Sequence, residues 1–510
     1  MSSYFMGIDT GTSSSKGVII NEECKVIATY EKSHTMSNPK PGFYEHDANK
    51  DWWGDFCIIS NELLSKSNIN PQDIKSIGIS ALGADCLPVD ENCEPLRKAI
   101  LYGIDSRASE EIEELTNLYG EHKIKQWYGR PLGSSDIMPK ILWIKNKEPD
   151  VYQKTYKFLT GSSFIVAKLT GNYVVDRFLG LASFNPLYNK KTWEPDPELC
   201  NYVCDTSQLA EIKEATDIAG YVSKQASKQT GLAVGTPVIT GTDDSGAEAI
   251  SAGVVESGKM MIQLGSSVYM ILGTDKLIND DNLWREEFIV PGLSDISAGT
   301  NTAGSLTEWY RDNIFSDILA QEKINDENAY SIMAESISNI PVGSGGLITL
   351  PYFAGERTPI NDPNSNGLII GLKLSHTREY LYKSALEGIG YSINQQIKIM
   401  ESHHEVSIKK IYGVGGGVKN KNWMQIIADI LGKTISTPKI TLGACYGDAM
   451  MAALGVKYDG FNSFSDLSDH IQIGDEYIPN KDNHIKYQYY QNIYEKLYAA
   501  NKDFMHLLNK

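Results

Sequence analysis

Four stretches of this 510-residue chain have residue types and spacings that could do chemistry. The first is YFMGIDTGTSSSKGVII over residues 4–20. An apolar run ends on a lone acid, Asp9, and enters a turn of glycine and hydroxyl residues (Gly11, Thr12, Ser13). Lys16 and a second apolar run follow. Backbone N–H groups in such a turn form a concavity that suits an anion, and hydroxyls add donors. Asp9 would repel a phosphate, yet it could hold a metal ion through water, and Mg²⁺ keeps several of its waters. The stretch therefore suits a metal–nucleotide complex, or it is a hairpin turn with an incidental acid. A Walker-type loop is excluded, because that motif leads into a helix and this one leads into a strand.

The second stretch is GTDDSGAEA over 241–249. Neighbours on an extended segment point in opposite directions. Of Asp243 and Asp244, one could face a substrate and accept a proton from its hydroxyl while the other caps a helix. A helix cap with a spare acid is the competing reading. The third, IYGVGGGVKNKNWMQIIADILG over 411–432, reads as strand, bare glycine turn (Gly415, Gly416, Gly417) and amphipathic helix, which makes a seat for a nucleotide. The fourth, PYFAGERTPINDPNSNGLIIGL over 351–372, carries Glu356 and Arg357, read as a structural ion pair or loop anchor.

These groups need elements to hold them. Residues 4–8, 18–20 and 25–33 read as an antiparallel meander, and 73–80 as a further strand. Residues 106–120 and 139–153 read as helices, as does the tail from about 485 to 508. The mixture predicts an α/β chain. An internal echo supports a duplication: IDTGTSSSKGVII (8–20) resembles IQLGSSVYMIL (262–272), with Asp9 replaced by Gln263. The expected domains are 1–247 and 248–510.

Bulk properties narrow the class. The balance of apolar and charged residues is that of an ordinary globular protein. A net charge of −17 argues against nucleic acid or an anionic membrane as the main partner. Seven cysteines in so long a chain do not read as a disulfide framework, and Cys200 and Cys204 lack the companions a zinc site needs. No signal peptide or membrane-length apolar run is read, so the expected location is cytoplasmic.

In order and spacing, these pieces resemble the FGGY family of carbohydrate kinases over nearly the whole chain. IDTGTSSSKGVI resembles the first phosphate loop, GFYEHDANKDWW (42–53) a G-W-x-E-Q-D-P-x-x-W-W segment, and ILYGIDSR (100–107) a W-x-D-x-R stretch. GTDDSGAEAISAGVV, LGSS (264–267), GERTP (355–359) and GGGVKNKNWMQIIAD (415–429) continue the match. The resemblance implies two related actin-like, ribonuclease-H-like ATPase domains with an interdomain cleft, in which an acid from each side meets a magnesium nucleotide and an alcohol. It implies transfer of the γ-phosphoryl of ATP to a hydroxyl of a small sugar or polyol. Asp244 matches the general base and Asp9 the metal-side acid, both beside Mg²⁺. Gly11, Thr12, Ser13 and Lys16 match one phosphate loop, Gly265 and Ser266 the other, and Gly415, Gly416 and Asn420 the adenosine side. Xylulose kinases carry Q-M-H at the sugar-facing loop, whereas Leu82, Gly83 and Ala84 stand here. Gly83, Ala84, Asp85, Asp105 and Arg107 are the expected sugar contacts, and the substrate is a ketopentose or related carbohydrate. A gluconate- or deoxysugar-type kinase, or an actin-like ATPase or phosphohydrolase, is the alternative. A homodimer is the default assembly.

Overall fold

The computed structural model describes residues 3–276, 280, 283–325, 327–403 and 406–509. The chain divides into two units. One comprises Met1–Val255, Glu286–Ser294 and Leu442–His470, the other Glu256–Arg285, Asp295–Thr441 and Ile471–Lys510. Two segments from the second half of the sequence thus belong to the first unit.

In the first unit, β1 (Tyr4–Thr10), β2 (Ser14–Asn21) and β3 (Val26–Ser33) form the expected antiparallel meander. Strand β4 (Ile74–Ala81) pairs with β1 in parallel. With β5 (Ile218–Tyr221) and β6 (Pro237–Ile239) the sheet runs β5-β6-β4-β1-β2-β3, and β7 (Thr242–Asp243) also pairs with β4. Both faces of β1 are covered, so Phe5, Met6 and Ile8 are buried although they point to alternate sides. Helix Asp55–Ser67 packs on one face, where Ile59 and Leu63 fill the space beside Gly17. Helix Ala444–Gly455 packs on the other so closely that a Cβ at Gly7 would lie 2.0 Å from the Cys445 carbonyl, and one at Gly78 2.1 Å from that of Asp448. No residue but glycine admits that approach. Positions 7 and 9 share one face of β1, as 78 and 80 do on β4, so the packing that brings this helix onto Gly7 also brings it to Asp9 and Ser80.

The second unit repeats the plan. Strands β8 (Lys259–Leu264) and β9 (Val268–Thr274) are antiparallel neighbours, and β8 pairs in parallel with a later strand, β11 (Lys410–Val414), as β1 does with β4. With β10 (Ser294–Thr300), β12 (Ile435–Pro438) and β13 (Ile473–Tyr477) the order is β10-β9-β8-β11-β12-β13. The long helix Arg378–Ser402, the amphipathic helix Lys421–Leu431 and the terminal helix Lys481–Leu508 share one core, through Ile389, Ile393, Trp423, Ile427, Tyr487 and Tyr494. The segment read as one helix over 139–153 is two, Ile137–Lys147 and Pro149–Lys154. Pro149 cannot continue the first helix and opens the second at its first position. Among the described residues, no helix is long and apolar enough to cross a membrane.

Candidate active site

The turn between β1 and β2 is closed by the Gly11 amide donating to the Ser14 carbonyl at 3.0 Å. Thr12 and Ser13 are exposed at its tip. Lys16 lies directly opposite Asp9 in the antiparallel register, on the same face, and its ammonium sits 3.6 Å from Glu31. The turn's carbonyls are held from behind. His34 Nε2 meets the Gly11 carbonyl at 3.0 Å, the His34 amide donates to that of Ser13 at 2.9 Å, and His46 Nε2 meets that of Thr12 at 3.1 Å.

Beside the turn lies a group of acids. The Ser80 hydroxyl bridges Asp9 Oδ1, at 2.9 Å, and Asp448 Oδ2, at 2.7 Å. A hydroxyl has one proton to give, so one carboxyl of this trio is itself protonated and donates to it. Burial marks Asp448, which is 0 % exposed and leaves Oδ1 without a partner among the described residues. Burial, with Asp9 nearby, pushes Asp448 well above the usual carboxylate range. Burial also lifts Asp9 to about 6; Ser80 and Lys16 oppose the rise and Asp243 adds to it. Asp9 and Asp244 belong to the same unit and interact electrostatically, which corrects the expectation that an acid comes from each side.

The two adjacent acids have separate jobs. Asp243 caps helix Asp244–Ala252, accepting from the Gly246 amide at 2.8 Å and the Ser245 hydroxyl at 2.7 Å. Burial lifts it to about 6. Asp244 is the first residue of that helix; among the described residues its carboxylate accepts only the Ser245 amide, at 2.9 Å. Burial, then the charges of Asp243, Asp9 and Glu248, raise it well above the ordinary range. A carboxylate so disposed is a stronger proton acceptor than one in water. Asp176 caps helix Arg177–Ala182 and accepts from Thr242 at 3.1 Å; burial and Asp243 push it up to about 8.

The expected sugar-side residues divide. Gly83 is buried, and a Cβ there would approach Asp243 and Tyr102 at 3.8 Å, so this glycine adjoins the acid group. Ala84 is buried and its carbonyl accepts Lys140 Nζ at 2.9 Å. Asp85 is fully buried, accepts the Tyr102 amide at 2.8 Å, and has one oxygen unpartnered among the described residues. Burial, against the pull of Lys140, lifts it to about 7. Asp105 and Arg107 instead bond to each other, with Arg107 Nη2 2.7 Å from Asp105 Oδ2 and Nη1 2.9 Å from Glu45. Asp105 also accepts the Tyr44 amide at 2.6 Å, and the guanidinium lies over Phe43 and Trp143. Buried and mutually bonded, this pair anchors the loop that carries Tyr102.

In the second unit, a cavity of about 600 Å³ is lined by the remaining expected residues Gly265, Ser266, Gly416 and Asn420, with Thr307, Tyr330 and Tyr382. Gly415 does not line it. It turns the chain at φ 87°, where a Cβ would strike the Leu264 carbonyl at 2.7 Å. A Cβ at Gly416 would meet nothing within 4 Å, so that backbone stays open toward the cavity. Asn420 caps helix Lys421–Leu431, accepting the Trp423 amide at 3.0 Å. Glu356 accepts from Thr300 and from the Asn301 and Arg357 amides, while Arg357 reaches the Val268 and Thr300 carbonyls, which is the loop anchor expected.

Ser80, Asp448, Asp176, His34 and His46 do not figure in the sequence reading. An acid inside the apolar run ACYGDAMMAALG was the available signal for Asp448. Among the described residues, no cluster of three or more histidine, cysteine or acidic side chains is arranged to ligate a metal directly.

Comparison with known proteins fits this geometry. Residues 4–251 match the N-terminal domain of the FGGY family of carbohydrate kinases and residues 260–456 its C-terminal domain. The chain is 30% identical over 498 residues to a xylulose kinase of Staphylococcus xylosus, covering 97% of this chain and 99% of that protein. It is 24% identical over 473 residues to a gluconokinase of Bacillus subtilis, covering 92% and 90%. The crystal structure of xylulose kinase from Rhodospirillum rubrum is similar at a TM-score of 0.87 and 25% identity, covering 99% of this chain and 100% of that one. Two domain matches that together span most of the sequence, on a duplicated α/β fold with an acid-lined turn in one unit and a glycine-walled cavity in the other, make the chain a member of the FGGY family of carbohydrate kinases, a transferase that phosphorylates a sugar with ATP.

Proposed function

We propose that Asp244 is the general base of this transfer. The observation that carries it is the division of labour at 243 and 244: the first acid caps the helix, which leaves the second, among the described residues, without a structural donor beyond its own turn and close enough to Asp9 to feel its charge. Asp244 orients the acceptor hydroxyl and takes its proton. Gly11, Thr12, Ser13 and Lys16 receive phosphate oxygens in the first unit, and Gly265 and Ser266 do so in the second. The glycine-walled cavity, with Gly416 and Asn420, takes the adenosine part, and Gly415 shapes the turn that bounds it. Phosphoryl transfer asks for positioning and charge neutralisation more than covalent help.

The acid group suits Mg²⁺. Asp9, Asp243, Asp244 and Asp448 are crowded, Asp243 and Asp448 are buried and Asp9 and Asp244 half-buried, Lys16 is the cation that acts on Asp9, and all four carboxyls are raised. Asp9 and Asp244 are the pair that would hold the ion through water, and it would supply neutralisation of phosphate charge. The acceptor is a small ketose or polyol that reaches Asp244 past Gly83, Ala84 and Asp85. The xylulose kinase relatives support a ketopentose. The glycine at 83 and the gluconokinase relatives keep a sugar acid as the second reading. The seven free cysteines suit a reducing cytoplasm, and a homodimer is the assembly proposed.

The test is ADP release with ATP, Mg²⁺ and a panel of ketopentoses, deoxysugars, polyols and gluconate. One member should stimulate release strongly, and Asp244→Ala should fold, bind ATP and lose about 10²- to 10⁴-fold in turnover. Full turnover in that variant removes Asp244 as the base. Release that ignores every sugar makes water the acceptor.

A further inference from the structure

The segment that resembles the family between residues 42 and 53 ends in two tryptophans, and the structure gives it work to do. Trp52 is fully buried and its indole N–H donates to His46 Nδ1 at 3.1 Å. An indole nitrogen can only donate, so His46 must accept there and carry its own proton on Nε2. That proton points at the Thr12 carbonyl, 3.1 Å away. The tautomer of His46 is thus set by Trp52. Burial, and then the charge of His34, hold the His46 pKa down at about 4, so the ring stays neutral.

His34 is placed differently. Its Nδ1 lies 2.8 Å from Asp55 Oδ2 and its Nε2 3.0 Å from the Gly11 carbonyl. Both partners are acceptors, and a histidine satisfies two acceptors only as the imidazolium. Asp55 is fully buried and accepts from Ser15 at 3.1 Å and from Lys32 as well. Against burial, the hydrogen bonds from His34 and Lys32 keep its carboxyl below the usual range, so it stays an anion beneath the ring. The two imidazoles meet edge to face at 4.9 Å.

The result is a count that closes. The carbonyls of Gly11, Thr12, Ser13 and Ser14 all accept from the protein side: from His34 Nε2, His46 Nε2, the His34 amide and the Gly11 amide. The amides of Thr12 and Ser13 have no acceptor among the described residues, and these are the exposed residues of the turn. A peptide plane whose carbonyl is tied inward presents the amide on its far side outward.

We propose that His34 and His46 are positioning residues of the first phosphate turn. His46, set by Trp52, and His34, set by Asp55, pull the carbonyls back so that the Thr12 and Ser13 amides face a phosphate, and His34 adds a positive charge behind them. Neither ring touches the nucleotide. This rests on reading the turn as a phosphate seat, and the test separates the two claims.

Calorimetry on the full chain with Mg²⁺ would compare ATP with adenosine in four variants. Thr12→Pro deletes an outward amide directly. His46→Leu removes a positioning bond, His46→Gln keeps a donor near Nε2, and His34→Gln keeps a donor but no charge. His46→Leu and His34→Gln should weaken ATP about tenfold, the loss of about one hydrogen bond to a charged acceptor. Adenosine affinity should stay put even where loss of the partners of Trp52 and Asp55 lowers the melting temperature, and His46→Gln should recover most of the lost ATP affinity. A structural role alone would lower the melting temperature without separating ATP from adenosine. If Thr12→Pro weakens ATP but the histidine variants do not, the positioning role is overturned. If none of the four weakens ATP, the phosphate seat falls and takes the proposal with it.

Discussion

The turn at 11–14 and the turn at 265–267 are built on the same plan and finished in opposite ways. Each joins two antiparallel strands, each first strand pairs in parallel with a later one, and each turn is closed by a glycine amide reaching forward, to Ser14 and to Ser267. In the first, Asp9 stands opposite Lys16 and the carbonyls are gathered by two imidazoles. In the second, Gln263 stands opposite Tyr269. There the Gly265 and Ser266 carbonyls are taken by the amides of Gly304, Ala303 and Ser305, at the start of helix Gly304–Asn313. A helix start always has amides in want of acceptors, so the second turn is held mainly by backbone, with the Ser305 hydroxyl adding one bond to the Ser266 carbonyl at 2.8 Å. The difference teaches where charge is handled. One copy keeps an acid, a lysine and two buried imidazoles at its turn, while the other has a glutamine and a tyrosine there, beside a cavity of nucleotide size that Glu308 and Lys419 help to line.

The sharpest way to break this contrast is to make the first copy resemble the second. Asp9→Asn should cut turnover about 10³-fold, on the scale of losing a group that stabilises the transition state. Gln263→Ala is the control and should leave turnover close to normal; equal losses would erase the distinction. Next comes Gly417→Ala in the second unit. Its Cβ would press on Leu264 at 2.7 Å and the Trp423 ring at 2.9 Å, and overpacking of this kind costs about 1–3 kcal/mol. Adenosine affinity should fall in step, as calorimetry can read, with the acceptor KM unchanged. The smallest effect is that of pH. Asp9 is needed as the anion and its carboxyl is held up to about 6. Turnover should therefore fall at least tenfold for each pH unit below that value, because Asp244, raised as well, must also be the anion, while adenosine affinity in the second copy changes less. A flat rate profile down to the ordinary carboxylate range would show that Asp9 is not held as described.

Much of this plan was legible in the residues because it rests on local pattern. The meander, the echo at 262–272, the strand at 410–414 and the tail helix follow from periodicity and turn chemistry, and all are present. The capping choice between Asp243 and Asp244 needed the resemblance, since either acid could have capped. What escaped depends on tertiary approach. Asp448 reaches Ser80 only because glycines at 7 and 78 let a helix from 368 residues further along press onto the sheet. His34 and His46 sit on different segments and meet only behind the turn. Asp105 and Arg107 read as contacts because a charged pair at a loop looks available in sequence; burial against Phe43 and Trp143 makes it an anchor. The return of residues 442–470 to the first unit leaves no local mark at all.

That late return has a consequence for synthesis. The bare backbone patch at Gly7 and Gly78 is matched to a helix whose last residue is Gly455. During translation, the opening strands must wait, one broad face uncovered, while nearly the whole polypeptide emerges. Expression of residues 1–255 alone should give an insoluble product, and a ribosome stalled short of that helix should hold a nascent chain that a chaperone still recognises.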